Sequence, residues 1–305
     1  MRILYAGSPE VAVAPLEALH RSGAEIAAVL SQPDRPVGRK KVLTPTPVSV
    51  AALELGVPVH HPHSAEELAR AVESARADLA IAVAYGRLIP PAVLTLPTHG
   101  WWNLHFSLLP RWRGATPVQH ALLHGDSVTG LTVFQMDEGL DTGPILAVRE
   151  RRIRALDTAS TLLADLSVEG ATVLVELVRQ LEGGELQAVE QTGEPTYAPK
   201  LTRDEGRLNW TESSSAVMNR YRAVTPEPGA FAVLAGQGRE IGISEMRPVV
   251  NESAITPGAI RGEGKRVIVG CADGALELVR VKPAGKVEMD AAAWWRGADP
   301  ETHFG

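Results

Sequence analysis

The first half of the chain alternates short apolar runs with amphipathic helical patterns, and this alternation restricts the possible folds more than any other feature. Apolar runs of strand length occur at residues 2–8, 25–32 and 77–86, and segments with helical spacing of apolar residues separate them. The run ADLAIAVAYG at 77–86 is almost continuously apolar, as expected of a parallel strand covered on both faces. Strands and helices alternating in this way predict a doubly wound α/β domain with a mostly parallel sheet.

The character of the sequence changes in the second half. A long helical pattern that starts at Ser160 ends at Gly183 and Gly184, and a polar, proline-containing stretch follows it. From about residue 208 onward, short apolar runs are separated by glycine and proline, which is typical of a small all-β barrel. We therefore predict an α/β domain over 1–189, a linker over 190–207 and a β-barrel domain over 208–305.

Composition and charge exclude several classes of protein. A chain of 305 residues is long enough for two domains, and its single cysteine, Cys271, excludes an internal disulfide and a cysteine-based zinc site. The net charge of −6 argues against a protein that coats nucleic acid. No apolar run reaches the roughly 18 residues of a spanning helix, and MRILYAGSPEV lacks the pattern of a signal peptide. We expect a cytoplasmic protein without membrane association.

Three polar side chains are expected to meet at strand ends of the α/β domain. Asn103 and His105 are two residues apart in WWNLHFS, so their side chains share one face of a strand. Asp141 lies in DEGLDTG, a glycine-rich loop after the apolar run TGLTVFQM. Ligand sites in such sheets lie at the carboxyl ends of the strands. An amide, an imidazole and a carboxylate at one point suit acyl-type transfer, which needs an oxyanion donor and a proton carrier.

Each of these residues also has a purely structural interpretation. A lone histidine beside an apolar strand is more often a packed residue than a catalyst, and aspartate is a common turn residue. Asp137 lies four residues before Asp141 and competes with it for any functional role. A metal site is the alternative use of His105 and Asp141, but two ligands without a third make a poor zinc or iron centre. We therefore expect no metal.

Two basic segments suggest an anionic ligand. Between residues 35 and 53 there are four cations and no acidic residue, and the cations are Arg35, Arg39, Lys40 and Lys41. In SLLPRWRG, Arg111 and Arg113 flank Trp112. A solvated surface loop is the simpler interpretation of both segments. The alternative is contact with a polyanion at the first segment, and with a flat ring and phosphates at the second.

The chain resembles the folate-dependent formyltransferases through two motifs. They are N-x-H-x-S-L-L-P at 103–110 and L-D-x-G at 140–143. The resemblance implies a Rossmann-like formyltransferase domain, 10-formyltetrahydrofolate as the formyl donor, and Asn103, His105 and Asp141 as catalytic residues. It also implies a pterin pocket formed by Val83, Ala84, Tyr85, Gly86, Ser107, Leu108, Leu109 and Pro110.

Further motifs are similar to those of the family branch that formylates methionyl-tRNA. They are Q-P-D-R-P-x-G-R at 32–39, W-R-G at 112–114, T-Y-A-x-K at 196–200 and P-A-G-K-x-x-M at 283–289. This resemblance implies that initiator tRNA is the acceptor, that Arg39 grips the end of its acceptor stem, and that an OB-like C-terminal domain helps to bind it. The cations expected to contact tRNA are Arg35, Arg39, Lys40, Lys41, Arg111 and Arg113.

The expected reaction begins when the amine of the methionyl ester attacks the formyl carbon. Asn103 and His105 donate hydrogen bonds to the resulting oxyanion, and Asp141 raises the pKa of His105 and helps to move the proton. We expect a monomer. Two alternatives stay open at this point: a formyltransferase acting on a small amine such as a nucleotide sugar, and a folate- or RNA-binding module without catalysis.

Overall fold

The computed structural model describes residues 1–38, 40–249, 255–299 and 301–305, which divide into two units. Unit 1 comprises Met1–Pro117, Val128–Arg152 and Leu163–Ala198. Unit 2 comprises Val118–Ser127, Ile153–Leu162 and Pro199–Gly305. In the described ranges, no helix is both long and apolar enough to cross a membrane.

A seven-stranded sheet forms the centre of unit 1. The strands of unit 1 are β1 (Arg2–Gly7), β2 (Glu25–Leu30), β3 (Arg35–Val37), β4 (Val42–Thr44), β5 (Val59–His60), β6 (Leu79–Val83), β7 (Trp101–His105), β8 (Val128–Gln135) and β9 (Ile145–Arg152), and all but β3 and β4 belong to this sheet. The sheet order is β5-β2-β1-β6-β7-β8-β9, and the first five strands are parallel. β8 and β9 are antiparallel, and β3 pairs with β4 in a separate ribbon. The predicted doubly wound, mostly parallel sheet is confirmed.

Helices connect the strands as the alternating pattern predicts. They are α1 (Val13–Arg21), α2 (Pro47–Glu54), α3 (Ala65–Ala75), α4 (Pro91–Leu94), α5 (Pro117–Leu123) and α6 (Ala159–Gly183). Every residue of β6 is buried, which agrees with its continuous apolar sequence. On the neighbouring strand β7, Trp101 and Trp102 are fully buried, and the Trp101 indole donates a hydrogen bond to the Val93 carbonyl at 3.0 Å. These contacts anchor the start of β7 in the core and leave its carboxyl end for the site.

Unit 2 is an antiparallel β structure with short helices. Its further elements are α7 (Ser214–Val224), β10 (Phe231–Val233), β11 (Glu240–Pro248), β12 (Ile260–Glu263), β13 (Arg266–Gly270), β14 (Ala275–Pro283), β15 (Met289–Asp290) and α8 (Ala291–Trp295). The strand order is β10-β11-β14-β13-β12, and β15 pairs with β14. Val217 of α7 packs in one core with Ile243, Val267 and Leu278 of the sheet. The prediction of an α/β domain followed by a domain of antiparallel β strands is confirmed.

Two segments that the sequence predicts as irregular have defined structure. The basic stretch after Gln32 contains the ribbon of β3 and β4, whose residues are exposed. The polar stretch after residue 189 hydrogen-bonds to unit 1 as far as Ala198. Apart from the buried Ala198, the described residues of the two segments are exposed or half-buried, so the segments lack the run of buried apolar residues on which the sequence pattern depends.

Candidate active site

Asn103 and His105 lie on β7, which stands between β6 and β8 in the sheet. Asn103 pairs with Ala82 on β6 and with Phe134 on β8, and His105 pairs with Thr132 on β8. Alternate residues of a strand project from the same face, so the two side chains are neighbours as predicted. The Asn103 side chain makes no hydrogen bond to any residue that the structure describes. Its amide is therefore free to donate to a ligand.

His105 is held in one tautomer by a backbone carbonyl. The side chain is 5% exposed, and its Nε2 lies 2.9 Å from the carbonyl oxygen of Trp112. A carbonyl oxygen only accepts hydrogen bonds, so the proton of the neutral ring is on Nε2. Nδ1 then carries a lone pair and lies 3.8 Å from Oδ2 of Asp141. Nδ1 is therefore the atom of His105 that can take up a proton.

Burial and charge act in opposite directions on the pKa of His105. Burial lowers this pKa below the ordinary value of 6.5, whereas the Asp141 carboxylate and the Trp112 hydrogen bond raise it. Burial has the larger effect. The sequence correctly predicts the direction in which Asp141 acts, but the net direction is downward because desolvation disfavours the imidazolium. Burial therefore favours the neutral form of the His105 ring.

The structure brings Asp141, and not Asp137, to His105. Oδ2 of Asp141 accepts a hydrogen bond from the Gly114 backbone N–H at 2.7 Å. Oδ1 of Asp137 instead accepts from the Gly139 N–H at 3.0 Å and from the Thr142 hydroxyl at 2.6 Å. Asp137 therefore has the turn-stabilising role that the sequence left open for either residue, and Asp141 is the charged partner of His105.

The segment 107–110 is fixed by two hydroxyl groups. The Ser107 hydroxyl donates to the Arg111 carbonyl at 2.6 Å. The Thr132 hydroxyl donates to the Ser107 carbonyl at 2.7 Å and accepts from the Leu109 N–H at 3.2 Å. Leu109 is buried, while Leu108 and Pro110 are half-buried. Ser107 therefore shapes this segment through its hydroxyl group, with Thr132 as a second support that the sequence analysis missed.

The segment 83–86 follows β6, the strand next to β7. Val83 and Tyr85 are buried, whereas Ala84 and Gly86 are exposed and have positive φ angles of 46° and 76°. The Tyr85 carbonyl accepts hydrogen bonds from the Ser8 hydroxyl and the Gln32 amide, both at 3.2 Å. The segments 83–86 and 107–110 thus follow the carboxyl ends of adjacent parallel strands, which is where ligands bind in such sheets.

The predicted tRNA-binding cations lie in different environments. Arg35, Lys40 and Lys41 are exposed on or beside the β3–β4 ribbon, and Arg39 lies outside the described residues. The Arg111 guanidinium stacks over the Trp112 ring at 4.4 Å. Arg113 is half-buried, and its Nη2 donates to Oε1 of Gln191 at 2.7 Å. The side chain of Arg113 is therefore engaged within unit 1.

Several groups that support the site were not predicted from the sequence. They are the Trp112 carbonyl, Thr132, Gln191 and Thr196. They act through backbone atoms or through partners distant in the chain, so even the motifs that include Trp112 and Thr196 do not reveal these contacts. Among the described residues, no group of three or more His, Cys, Asp or Glu side chains could hold a metal ion.

Known proteins match the chain over both units. The family model "Formyl transferase" matches residues 1–178, and "Formyl transferase, C-terminal domain" matches residues 200–299. The methionyl-tRNA formyltransferase of Paenarthrobacter aurescens (strain TC1) is 48% identical over 303 residues, which cover 99% of this chain and 98% of that protein.

Two solved structures share the fold. HypX from Aquifex aeolicus, in complex with tetrahydrofolic acid, matches with a TM-score of 0.68 and 18% identity over 96% of this chain. The chain spans about half of HypX, or 46% of its length. WlaRD, a sugar 3N-formyl transferase, matches with a TM-score of 0.70 and 17% identity over 94% of this chain and 99% of its own.

Proposed function

The chain belongs to the formyl transferase family, and we propose that it transfers the formyl group of 10-formyltetrahydrofolate to the amine of methionyl-tRNA, giving formylmethionyl initiator tRNA. The observation that carries this proposal is 48% identity to a methionyl-tRNA formyltransferase over 99% of the chain. The distant match to a sugar formyltransferase, at 17% identity, supports only the fold. The meeting of His105 and Asp141 beside Asn103 supports catalysis rather than binding alone.

The proposed reaction uses all three side chains. The methionyl amine attacks the formyl carbon, and Asn103 donates its amide hydrogen to the oxyanion that forms. Nδ1 of His105 accepts the proton that the amine loses, and Asp141 stabilises the imidazolium. As the bond between the formyl carbon and N10 breaks, that proton passes to N10, tetrahydrofolate leaves, and His105 is neutral again.

The proposed binding sites follow from the position of the remaining residues. The backbone of 83–86 and the segment 107–110 would hold the pterin ring, since both follow the carboxyl ends of adjacent strands. The exposed cations Arg35, Lys40 and Lys41 would contact tRNA phosphates together with Arg39, Arg111 and Arg113.

We further propose a catalytic domain over 1–189, a linker over 190–207, an OB-like tRNA-binding domain over 208–305, and a monomeric cytoplasmic enzyme.

A comparison of acceptors in parallel reactions tests the function. The protein is incubated with 10-formyltetrahydrofolate and, in parallel, with methionyl-tRNA, with an amino-sugar nucleotide, or with no acceptor. We expect formylation of methionyl-tRNA alone, measured as formylmethionine after the ester bond to tRNA is hydrolysed, and as release of tetrahydrofolate. If kcat/KM were higher for the amino-sugar nucleotide than for methionyl-tRNA, the sugar nucleotide would be the acceptor and the proposal would be wrong. Folate binding without turnover on either acceptor would contradict an enzymatic function.

A further inference from the structure

Residues 189–198, here called the strap, make hydrogen bonds to several segments of unit 1. At one end, Val189 exchanges two backbone hydrogen bonds with Ile145, at 2.7 and 2.9 Å. At the other end, the Ala198 N–H donates to the Arg113 carbonyl at 2.8 Å, and the Ala198 carbonyl accepts from the Thr116 N–H at 3.1 Å. The strap is therefore fixed on both sides of its central residues.

Gln191 uses its whole amide group within the site. Its Nε2 donates to the backbone carbonyls of Asp141 and Gly143, both at 2.8 Å, and its Oε1 accepts from the Arg113 guanidinium at 2.7 Å. A primary amide supplies two donors and an acceptor in one plane, which is the combination that these three partners require. Gln191 thus joins the loop of Asp141 to the segment that contains Arg113.

The loop of Asp141 needs such support because its backbone is strained. Asp141 has a φ of 53°, in the left-handed region, which is unfavourable for a residue with a side chain. The loop is also closely packed, since a Cβ at Gly143 would lie 1.8 Å from the Gln135 carbonyl oxygen. Gln191 holds the loop by its carbonyls, and the Gly114 N–H holds the Asp141 carboxylate itself.

The two segments that Gln191 joins are those that contact His105. Trp112, next to Arg113, supplies the carbonyl that binds Nε2, and Asp141 faces Nδ1. Among the described residues, Asp141 is the charged group that acts on His105, and the Phe134 ring lies edge-on at 6.4 Å. The placement of His105 between its two partners therefore depends on the same amide group.

On the premise of the proposed formyl transfer, we propose that Gln191 is a positioning residue that holds the Asp141 carboxylate at His105, and that the strap is part of the catalytic apparatus. The role is distinct from substrate contact, because the amide of Gln191 is fully occupied by protein groups. The Arg113 guanidinium in turn supplies the donor that holds Oε1 of Gln191 in place.

The first test is the titration of His105 by NMR in the full-length protein, with the His105 signal assigned by His105→Asn. We expect Gln191→Met to lower the pKa of His105, because a displaced Asp141 carboxylate no longer opposes the effect of burial. The matched control is Gln187→Met, which changes an exposed glutamine just before the strap. This measurement requires neither tRNA nor folate, so its result does not depend on whether the proposed function is right.

The second test is the rate of formyl transfer. We expect Gln191→Met to lower kcat by up to about 100-fold, the usual effect of misplacing a catalytic group by about 1 Å, while KM for both substrates stays the same. Gln191→Glu keeps the acceptor for Arg113 but removes both donors, so it should lose a similar factor. An unchanged His105 titration together with full kcat in both Gln191 variants would overturn the proposal, as would an equal loss in Gln187→Met.

Discussion

Replacing Asp141 with asparagine isolates the charge that acts on His105. Oδ2 of Asp141 lies 3.8 Å from Nδ1 of His105 and accepts a hydrogen bond from the Gly114 N–H at 2.7 Å. Asparagine has nearly the same shape and keeps an oxygen that can accept from Gly114. The Asp141→Asn variant should therefore keep the loop in place and lose only the negative charge.

The loss of rate can be estimated from the separation of the charges. At an effective dielectric constant of about 20, unit charges 3.8 Å apart attract by about 4 kcal/mol. Since about 1.4 kcal/mol corresponds to a tenfold change in rate, full loss of this attraction would slow the reaction about a thousandfold. The imidazolium is only partly formed in the transition state, so we expect a loss between about 100- and 1000-fold.

The measurement is single-turnover formyl transfer at saturating substrates, repeated across pH. Because His105 must be neutral to accept a proton, the rate falls on the acidic side of its pKa. Asp141 raises that pKa against the larger effect of burial. Asp141→Asn should therefore lower the plateau and move the acidic limb to lower pH.

The matched control is Asp137→Asn, which makes the same chemical change in the same loop. Asp137 is exposed, and its partners among the described residues are Gly139 and Thr142 of its own loop, so we expect a much smaller effect and no movement of the acidic limb. A near-normal rate in Asp141→Asn would refute the role of the charge. An equal loss in both variants would assign the effect to the loop as a whole.

Three further predictions follow from the same geometry. Asn103→Ala should lower the single-turnover rate constant by about 10²- to 10³-fold through loss of an oxyanion donor. The folate Kd from titration should stay unchanged. The Thr196 hydroxyl accepts from the Trp112 N–H at 2.9 Å, and the Trp112 carbonyl holds Nε2 of His105. Thr196→Val should therefore lower kcat, and Thr196→Ser should restore it. Replacing Lys40 or Lys41 by glutamine should weaken tRNA binding in a filter assay without changing folate affinity. The slope of the logarithm of the binding constant against the logarithm of the salt concentration should fall by about one for each charge removed.

The parts of the fold that bury apolar residues were predictable from the sequence. β6 is buried along its whole length and has a continuous apolar sequence. β9 was not predicted, because it is the edge strand of the sheet and its ILAVRERR sequence contains four charged residues. The β3–β4 ribbon is exposed and contains Pro36, so it lacks any apolar alternation. The apolar sequence pattern indicates which strands are buried, so strands that are exposed are not detected by it.

The site was predictable where it depends on strand spacing. The alternation of a strand places Asn103 and His105 on one face, and the sequence shows this directly. Asp137 and Asp141 lie in one short loop, so the sequence does not distinguish them. The choice depends on the backbone N–H that each carboxylate accepts from, which is that of Gly139 for Asp137 and that of Gly114 for Asp141. Gln191 binds Asp141 from fifty residues away, through backbone atoms that every sequence has. Such contacts exist only once the chain is folded.

The balance of effects on His105 was the least predictable feature, and it explains why the site needs both burial and Asp141. In the proposed reaction, the amine needs a base that is neutral before the proton is transferred, and burial favours the neutral form of His105 by lowering its pKa. Burial alone would also make His105 a poor proton acceptor. Asp141 attracts only the protonated ring, so its contribution is largest as the proton arrives, which is the condition for accelerating the step rather than stabilising the resting enzyme. The arrangement therefore depends on keeping the carboxylate close to Nδ1, which is the task that we assign to Gln191.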